Sequence, residues 1–347
     1  MLKRIKRKLN TFIWMSKVRL FALQSHPEYK NDIVLFDPAM HSSNLGDSII
    51  EYYCDLQLRE IVANKRCFKV PTHQCPPDED LNQIQCAATK IVCGTNLMTP
   101  HYEEFSNWKI PEHLQGYKNI VTLGVGWGYY CPDISKISKF VYQSILSKDK
   151  LHSVRDSYTE KRFHEMGITN VINTGCPTLW NLTPELCSEI PASKTKRVIT
   201  TLTDYDQNDV LDKTLFDLLF KNYEEVYVWI QGNHDYEYLC QLVDVNRVHV
   251  VERSLQKYTD LLKEGNIDYV GTRLHAGIHA LNHKIRTVII AVDNRAIEMG
   301  KDFLLPVIER INIENQLEDL INSELEISIS LPVSKIETWK KQFENEV

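Results

Sequence analysis

The sequence predicts an α/β protein of two consecutive Rossmann-like domains that face a central cleft, preceded by a basic amphipathic N-terminal helix. Three observations predict it. β-prone runs alternate with amphipathic helical segments, and residues 182–196, rich in Pro, Ser, Lys and Thr, interrupt that alternation. The chain also has 347 residues, which is too long for one ordinary core. Regular alternation of strands and helices indicates βαβ units and a parallel sheet.

Four segments follow from this pattern. The predicted segments are a basic amphipathic arm at residues 1–30, an N-terminal Rossmann-like domain at 31–185, a C-terminal Rossmann-like domain at 186–310 and a charged helical segment at 311–347. The last segment is expected to pack across one domain or to return to the first. Strands are predicted at residues 32–36, 90–93, 119–123, 151–154, 171–172, 197–201, 225–230, 247–250, 267–270 and 286–291. A loop that leads into a helix is predicted at 44–61, and helices are predicted at 157–166, 209–221, 235–243, 254–264 and 275–282.

The N-terminal arm is the most basic part of the chain. Seven Lys and Arg residues lie between positions 3 and 19, and no acid precedes Glu28. Its longest apolar run, residues 12–15, is far too short for a signal peptide or a transmembrane span. A basic amphipathic helix that carries Trp14 fits adsorption to an anionic membrane surface, or packing on the protein's own body with its lysines in solvent. We therefore expect a cytoplasmic protein, peripheral on the inner face of the membrane if the arm adsorbs.

Composition narrows the class of protein. The net charge of -6 argues against a general nucleic-acid binder. Nine cysteines are present, but none forms a Cys-x-x-Cys pair with the tight spacing of zinc knuckles. The sequence therefore predicts reduced, mostly buried thiols and no metal site.

Residues 267–279 carry the strongest functional signal. A β-prone run ends in Gly-Thr and places Arg273 and His275 at the mouth of a helix. Ligands of open α/β sheets bind at the carboxyl ends of strands, where helix N-termini present backbone N–H groups. A guanidinium grips phosphate or carboxylate, and an imidazole moves protons near neutral pH. His279 and His283 share the helix face of His275, but no glutamate lies between them, so we expect one active and two structural histidines.

Two further arginines follow predicted strands. Arg155 comes after the strand at 151–154, where it points to the cleft edge or pairs with Asp156 on the surface. Arg295 comes after the strand at 286–291, beside the loop of residues 273–275 in a parallel sheet. Arginines that converge from separate strand ends predict a site for a small ligand with several negative charges.

Three loops supply the remaining candidates. In Asn44-Leu-Gly-Asp47 the aspartate either caps a helix or acts as a base facing the cleft. Residues 124–128 lack the spacing of a dinucleotide fingerprint, so NAD binding is not expected, and Trp127 and Tyr129 are interpreted as faces for a sugar. Gly-Asn-His-Asp at 232–235 occurs in metallophosphoesterases, but their other metal motifs are missing, so His234 is interpreted as a cleft-lining residue.

In combination, these pieces resemble the polysaccharide pyruvyltransferase family. The matching residues are Asn44-x-Gly46-Asp47, Ser153-Val-Arg-Asp156, Gly175-x-Pro177 and Gly271-Thr-Arg-Leu-His-Ala276, and the similarity runs from about residue 31 to 310. The resemblance implies a two-domain, GT-B-like enzyme with the acceptor on the first domain and the donor on the second. It implies transfer of pyruvate from phosphoenolpyruvate onto two hydroxyls of a sugar, with formation of a cyclic ketal and release of phosphate.

Carried over by position, the resemblance makes Arg155, Arg273 and His275 the active-site set, and the other roles are expected from the residues themselves. His275 is expected to donate a proton and Asp47 to accept one. The donor is expected to contact Arg155, Arg273, Arg295 and His234, and the acceptor Asn44, Trp127 and Tyr129. Many relatives have a lysine near the position of Arg295. Since arginine keeps the charge but does not release a proton, Arg295 is expected to act as an electrostatic clamp.

The implied partners are phosphoenolpyruvate as co-substrate and a sugar of a bacterial-type surface polysaccharide, such as capsule or exopolysaccharide, or its lipid-linked oligosaccharide precursor. No cofactor, metal or nucleic acid is expected, because the arginines neutralise the phosphate. Two alternatives stay open at this point. One is a GT-B glycosyltransferase that uses a nucleotide sugar, and the other is a membrane-surface glycan-binding module without chemistry.

Overall fold

The computed structural model describes residues 31–63, 65–111, 114 and 116–344. The predicted basic arm, residues 1–30, lies outside the described residues. The chain divides into two compact units. Of the described residues, the first unit comprises those within 31–41, 55–173 and 337–344, and the second comprises 42–54 and 174–336.

The first unit contains short strands that alternate with helices. In chain order its elements are β1 (Ile33–Asp37), α1 (Leu45–Val62, whose first half belongs to the second unit), β2 (Cys67–Pro71), α2 (Asp78–Cys86), β3 (Thr89–Cys93), β4 (Val121–Leu123), α3 (Lys136–Ile145), β5 (His152–Val154), α4 (Ser157–Glu165) and β6 (Val171–Asn173). The strands pair in the order β2-β1-β3-β4, and β5 pairs with β6. Single bridges from Val125 to Val154 and from Ile120 to Leu146 extend this parallel arrangement.

The second unit has a more regular alternation. Its elements are α5 (Pro184–Ser188), β7 (Arg197–Thr200), α6 (Asp209–Asn222), β8 (Glu225–Trp229), α7 (Asp235–Leu242), β9 (His249–Val251), α8 (Leu255–Glu264), β10 (Asp268–Gly271), α9 (Leu274–Asn282), β11 (Thr287–Ala291), α10 (Asn294–Phe303), β12 (Val307–Glu309), α11 (Glu318–Asn322) and α12 (Val333–Lys341, whose last residues belong to the first unit). A π-helical turn at Ile313–Leu317 precedes α11.

The strand order of the sheet in the second unit indicates where a ligand-binding site is expected. Its six strands are parallel and lie in the order β12-β11-β10-β7-β8-β9. With the strands numbered from the first one of this unit, this is the 3-2-1-4-5-6 order of Rossmann folds. Strands two and three are added on one side of the first strand, and strands four to six on its other side, so the strand order reverses between the first and fourth strands. Those strands are β7 and β10, so the topological switch point lies at the carboxyl ends of β7 and β10.

The predicted α/β class with parallel sheets is confirmed, and all ten predicted strands match observed ones to within about two residues. β2, α2, α3, α5, α10 and β12 were not predicted. The amphipathic pattern of α3, with Ser135 as its N-cap and Ser138, Val141 and Ile145 buried, was available in the sequence. β2 is an edge strand with an exposed start, so its hydrophobic signal is weak.

The boundary between units differs from the predicted one. The sequence places it at residue 185, whereas the contacts place it at 173 and assign 42–54 to the second unit. Thr174 accepts a hydrogen bond from Trp180 Nε1 at 2.9 Å, and Thr178 accepts one from Asn282 at 2.9 Å. The Pro- and Ser-rich composition of residues 182–196 therefore reflects a loop around α5 inside the second unit.

The C-terminal segment is only partly helical, since residues 323–332 form neither helix nor strand. Its end packs in the first unit, where Lys150 donates to the carbonyl of Gln342 at 2.9 Å. Among the described helices, none combines the length and apolar character of a membrane span. The described cysteines are free as expected, but only four of the nine are buried, which corrects the prediction of mostly buried thiols.

His279 is a buried structural histidine, as predicted. Its Nδ1 lies 3.0 Å from Tyr53 Oη and its Nε2 lies 3.0 Å from Thr259 Oγ1. The Thr259 hydroxyl donates its proton to the Leu255 carbonyl, so it accepts from Nε2–H and Tyr53 donates to Nδ1. Both ring nitrogens are engaged in the neutral form, and His279 is therefore unsuited to hold zinc.

The burial of His279 predicts that the free energy of unfolding decreases at low pH. Desolvation lowers the pKa of His279 from 6.5 to about 3. Below pH 6.5 the unfolded chain binds a proton that the folded chain does not. Stability is therefore full above pH 6.5 and falls as the pH approaches 3, by up to about 1.4 kcal/mol per pH unit. Urea unfolding at pH 7 and pH 5 should show a smaller pH-dependent loss in His279→Gln than in wild type.

His249→Gln is the matched control, because His249 lies exposed in the same unit. It should keep the wild-type pH dependence. Equal slopes in wild type and His279→Gln would contradict the assignment.

Candidate active site

A cavity lies at the switch point of the second unit, at the carboxyl ends of β7 and β10. Twelve residues from five segments line it: Asn44, Gly46, Tyr205, Gln231, Thr272, Arg273, Leu274, His275, Val292, Asp293, Arg295 and Ala296. Roomier cavities of this unit and of the first unit lie at the opposite, amino ends of the strands, lined for example by Ile267 and Arg286 or by Lys118 and Asn119. Ligands of open parallel sheets bind at the carboxyl ends, so the switch-point cavity is the candidate site.

His275 occupies the first turn of α9 and is 5% exposed. Its Nε2 lies 3.8 Å from the sulfur of Cys176, a fully buried residue just before a 3₁₀ turn. Apart from the turn motif around it, no sequence pattern marks Cys176 as a site residue. A thiol donates or accepts only weakly, so it orients the imidazole without fixing its charge.

The N-terminus of α9 faces the same cavity. Arg273 is its N-cap residue, and the Arg273 side chain makes no capping hydrogen bond to the first turn. The backbone N–H of Arg273 donates to Thr201 Oγ1 at 3.2 Å. A helix N-terminus without a side-chain cap is a favourable place for phosphate or carboxylate.

Arg273 lies in this cavity, as predicted, but its guanidinium is already engaged. Nε donates to the Leu202 carbonyl at 2.5 Å, and Nη2 contacts Asp204 at 2.9 Å and Asp235 at 2.5 Å. Burial alone would lower the pKa of Arg273, but Asp235, Tyr205 and Asp204 hold it above its ordinary value. Arg273 therefore ties the loop after β7 to the start of α7, and its predicted role as a donor clamp stays a prediction.

Gly232 allows this close approach. A Cβ atom at position 232 would lie 2.6 Å from Arg273 Nη2 and 2.9 Å from Asp204 Oδ2. Asp235 Oδ2 accepts the N–H groups of Gln231 and Gly232 at 3.1 and 2.7 Å. The Gly-Asn-His-Asp motif is thus a loop that holds Arg273, rather than a metal site.

His234 is not part of the cavity lining. Its side chain is 73% exposed and pairs with Glu237 at 2.6 Å. The hydrogen bond with Glu237 raises the pKa of His234. This position contradicts the predicted cleft-lining and donor-binding role of His234, because the buried Asp235 next to it turns the chain into α7.

Arg295 is placed in the cavity by the start of α10. Its Nε donates to Asp293 Oδ2 at 2.9 Å, and its Nη2 contacts the same carboxylate and the Tyr205 hydroxyl. Burial opposes the charge, but Asp293 and Tyr205 raise the pKa of Arg295 above its ordinary value. Tyr205 is 57% exposed, so this end of the guanidinium lies near solvent.

Asn44, and not Asp47, caps α1. Its Oδ1 accepts from the Gly46 N–H at 3.0 Å and from Gln231 Nε2 at 2.8 Å, which places Asn44 in the cavity wall. Asp47 lies in the first turn, is nearly buried and accepts from Ser42 Oγ at 2.6 Å. The prediction of Asp47 as the cap is wrong. Its role as a base stays a prediction.

Arg155 lies in the first unit, directly after β5, and is fully buried. Its Nε donates to Asp156 at 3.1 Å and its Nη1 to Asn96 Oδ1 at 2.8 Å. Nη2 has no hydrogen-bond partner among the described residues. A buried, unsatisfied guanidinium donor is costly and is a natural contact for an anion.

The loop of residues 124–128 shapes the pocket of Arg155. A Cβ atom at Gly126 would lie 2.1 Å from Arg155 Cζ, so only glycine fits there. Trp127 is fully buried, with the Arg162 guanidinium 5.3 Å from its ring centre. This burial corrects the prediction of Trp127 as a sugar-stacking surface. Tyr129 is 41% exposed, and its acceptor role stays a prediction.

Residues 18–294, more than half of the chain, match the family model described as polysaccharide pyruvyl transferase. No curated protein matches the chain. Solved structures with some likeness include a UDP-GlcNAc 2-epimerase from Methanocaldococcus jannaschii, with 11% identity over 89% of this chain and 99% of that one and a TM-score of 0.48. Another is a LacI family transcription regulator from Clostridium acetobutylicum, with 13% identity over 92% of this chain and 94% of that one and a TM-score of 0.24. At these TM-scores neither likeness bears on function.

Proposed function

Because the chain belongs to the polysaccharide pyruvyl transferase family, we propose that it transfers pyruvate from phosphoenolpyruvate to two hydroxyls of a sugar, with formation of a cyclic ketal and release of phosphate. The observation that supports this most is the composition of the switch-point cavity. It combines the imidazole of His275, the guanidinium of Arg295 and the N-terminus of α9.

The chemistry begins with a proton. His275, as general acid, delivers it to the methylene carbon of phosphoenolpyruvate, and C2 gains oxocarbenium character. A sugar hydroxyl then bonds to C2 and loses its proton, for which Asp47 is the proposed acceptor. Phosphate leaves with the electrons of its C–O bond and takes the proton held by Asp47. A second hydroxyl attacks C2 to close the ring, and its proton returns to His275. The balance is one phosphoenolpyruvate and one diol in, one ketal and one phosphate out.

The charges of the cavity favour separate roles for its two arginines. Arg273 and Arg295 face three carboxylates, Asp204, Asp235 and Asp293, so the described cavity has no excess of positive charge. Arg273 is buried between two of them and acts as a positioning residue. Arg295, whose partners lie nearer to solvent, can exchange Tyr205 and Asp293 for a donor oxygen. The backbone N–H groups of α9 supply the remaining contacts.

We also propose Arg155 as a donor ligand, through its Nη2. Arg155→Lys keeps a positive charge but loses the planar fork, and should raise KM for phosphoenolpyruvate at least about tenfold. Gly126→Ala should have the same effect with Arg155 still present, since the new methyl group displaces the guanidinium. Initial rates of phosphate release measure both.

Gly128→Ala is the matched control, because the nearest atom to its Cβ would be the Met98 carbonyl oxygen at 3.3 Å. It should keep KM near the wild-type value. An unchanged KM in both Arg155→Lys and Gly126→Ala would exclude Arg155 from donor binding.

The proposed acceptor is a sugar of a surface polysaccharide or of its lipid-linked precursor. Asn44 and Tyr129 are the proposed acceptor contacts, since the first lines the cavity and the second is exposed. Adsorption of the basic arm to an anionic membrane would bring the enzyme to a lipid-linked acceptor. Deletion of residues 1–25 tests this, because the protein should then leave the membrane fraction.

The donor is tested by direct competition. The acceptor is the surface polysaccharide of the source organism, freed of ketals by mild acid. Phosphoenolpyruvate should release phosphate in proportion to the ketal formed, whereas a panel of nucleotide sugars should give no transfer. Transfer from a nucleotide sugar, with none from phosphoenolpyruvate, would overturn the proposal in favour of a glycosyltransferase.

A further inference from the structure

Three side chains of different chemistry converge in the first unit, at a place that the proposed transfer reaction does not use. They are His101, Cys131 and Asp133, and their ligand atoms lie within 4.8 Å of one another. His101 Nε2 lies 3.7 Å from Cys131 Sγ and 3.8 Å from Asp133 Oδ2. Cys131 Sγ lies 3.9 Å from Asp133 Oδ1. Imidazole, thiolate and carboxylate are the three ligand types that proteins use for zinc.

These separations fit one tetrahedral ion. Zinc bonds of about 2.0 to 2.3 Å at tetrahedral angles place neighbouring ligand atoms about 3.3 to 3.6 Å apart. The observed separations are a few tenths of an ångström longer, which small side-chain rotations remove. We infer that His101, Cys131 and Asp133 form a zinc-binding site with a fourth position open to water or another donor.

The chemical types of the three ligands indicate which metal the site prefers. Mg²⁺ and Ca²⁺ prefer oxygen ligands, and only Asp133 supplies one. A thiolate with an imidazole favours zinc and chemically similar transition metals. Thirty residues separate His101 from Cys131, so the local sequence shows no zinc motif, which explains why the sequence predicts no metal.

The backbone around the three ligands is fixed. The His101 carbonyl accepts the N–H groups of Glu104 and Phe105 at 3.0 and 3.1 Å. Near the other two ligands, the Cys131 N–H donates to the Tyr158 hydroxyl at 3.3 Å. The carbonyl of Pro132 accepts a hydrogen bond from Arg162 at 3.4 Å. The site therefore requires little ordering of the chain when an ion binds.

Glu103 supports the histidine. Its Oε1 lies 3.9 Å from His101 Nδ1, and its Oε2 accepts from Ser135 Oγ at 2.8 Å. When His101 Nε2 binds a metal, His101 Nδ1 carries the ring proton, and this N–H faces the Glu103 carboxylate. Carboxylates placed in this way orient metal-bound histidines and raise their affinity, by about 10- to 100-fold.

Cobalt(II) is the probe, because a cobalt–thiolate bond absorbs strongly in the near ultraviolet. The purified full-length chain, reduced and freed of metal with a chelator, is titrated with Co²⁺ and then with Zn²⁺. One Co²⁺ per chain should give the thiolate band and the intense visible bands of tetrahedral cobalt, and one Zn²⁺ should displace it. Cys131→Ser should abolish the thiolate band, and Glu103→Gln should weaken binding at least about tenfold.

Cys240→Ser is the matched control, since Cys240 is an exposed free thiol of the second unit. It should bind Co²⁺ like wild type. Absence of a one-to-one thiolate band in wild type, or its persistence in Cys131→Ser, would overturn the site. The readout needs no transferase activity, so the result is independent of the proposed function.

Discussion

Replacing His275 by glutamine is expected to lower kcat for pyruvyl transfer by about 10²- to 10⁴-fold, the usual contribution of a general acid. The imidazole lies in the switch-point cavity with Arg295, where it can meet a bound phosphoenolpyruvate. KM for phosphoenolpyruvate should change little, because the proposed donor contacts are Arg155, Arg295 and the N-terminus of α9. Phosphate release and ketal formation, measured together, give both constants.

His283→Gln is the control for this variant. His283 lies just past the same helix, and its Nδ1 contacts the His279 carbonyl at 2.8 Å. The same substitution there should leave kcat unchanged. Turnover of His275→Gln within about threefold of wild type would remove His275 from the proton transfer.

Replacing Arg286 by methionine is expected to destabilise the second unit by about 3 to 5 kcal/mol. Arg286 is almost fully buried and donates to Asp268 at 3.0 Å. It also donates to the carbonyls of Ala192, Leu320 and Ser323, each at 2.8 Å. Its loss leaves a buried carboxylate and several carbonyls without partners. The midpoint of urea unfolding measures the loss.

Two further variants show how much of the stability lost in Arg286→Met comes from the unpaired buried charge and how much from lost packing. Burial raises the pKa of Asp268, whereas Tyr223 and Arg286 lower it, so an unpaired Asp268 is costly. Arg286→Met with Asp268→Leu should therefore be more stable than Arg286→Met alone. Arg197→Met, at a more exposed ion pair with Glu264, should cost less than about 1 kcal/mol. A loss below about 1 kcal/mol for Arg286→Met would contradict the account.

Much of the second unit follows from the sequence. Its β-prone runs alternate with helices, and the residues predicted to follow strands β10 and β11 lie at the carboxyl edge of the sheet. His275, Arg273 and Arg295 reach one cavity for this reason. Residue type and strand position were enough to predict their proximity, because parallel strands bring their carboxyl ends to one edge.

The partners of these side chains could not be predicted. Arg273 lies 69 residues from Asp204 and 38 residues from Asp235, and no local pattern encodes these pairings. Cys176 beside His275 depends on the path of the chain before α5. The burial of Trp127 was missed because an aromatic residue in a glycine-rich loop looks the same in sequence whether it is covered or exposed.

Transfer in D₂O tests the central claim, protonation of phosphoenolpyruvate at its methylene carbon, most directly. With wild-type enzyme and the ketal-free polysaccharide as acceptor, the ketal methyl group should contain one solvent deuterium, with one phosphate released per ketal. The label and the phosphate are read by mass spectrometry and phosphorus NMR of the same sample. Ketal that forms without deuterium in its methyl group, or without phosphate release, would contradict the account.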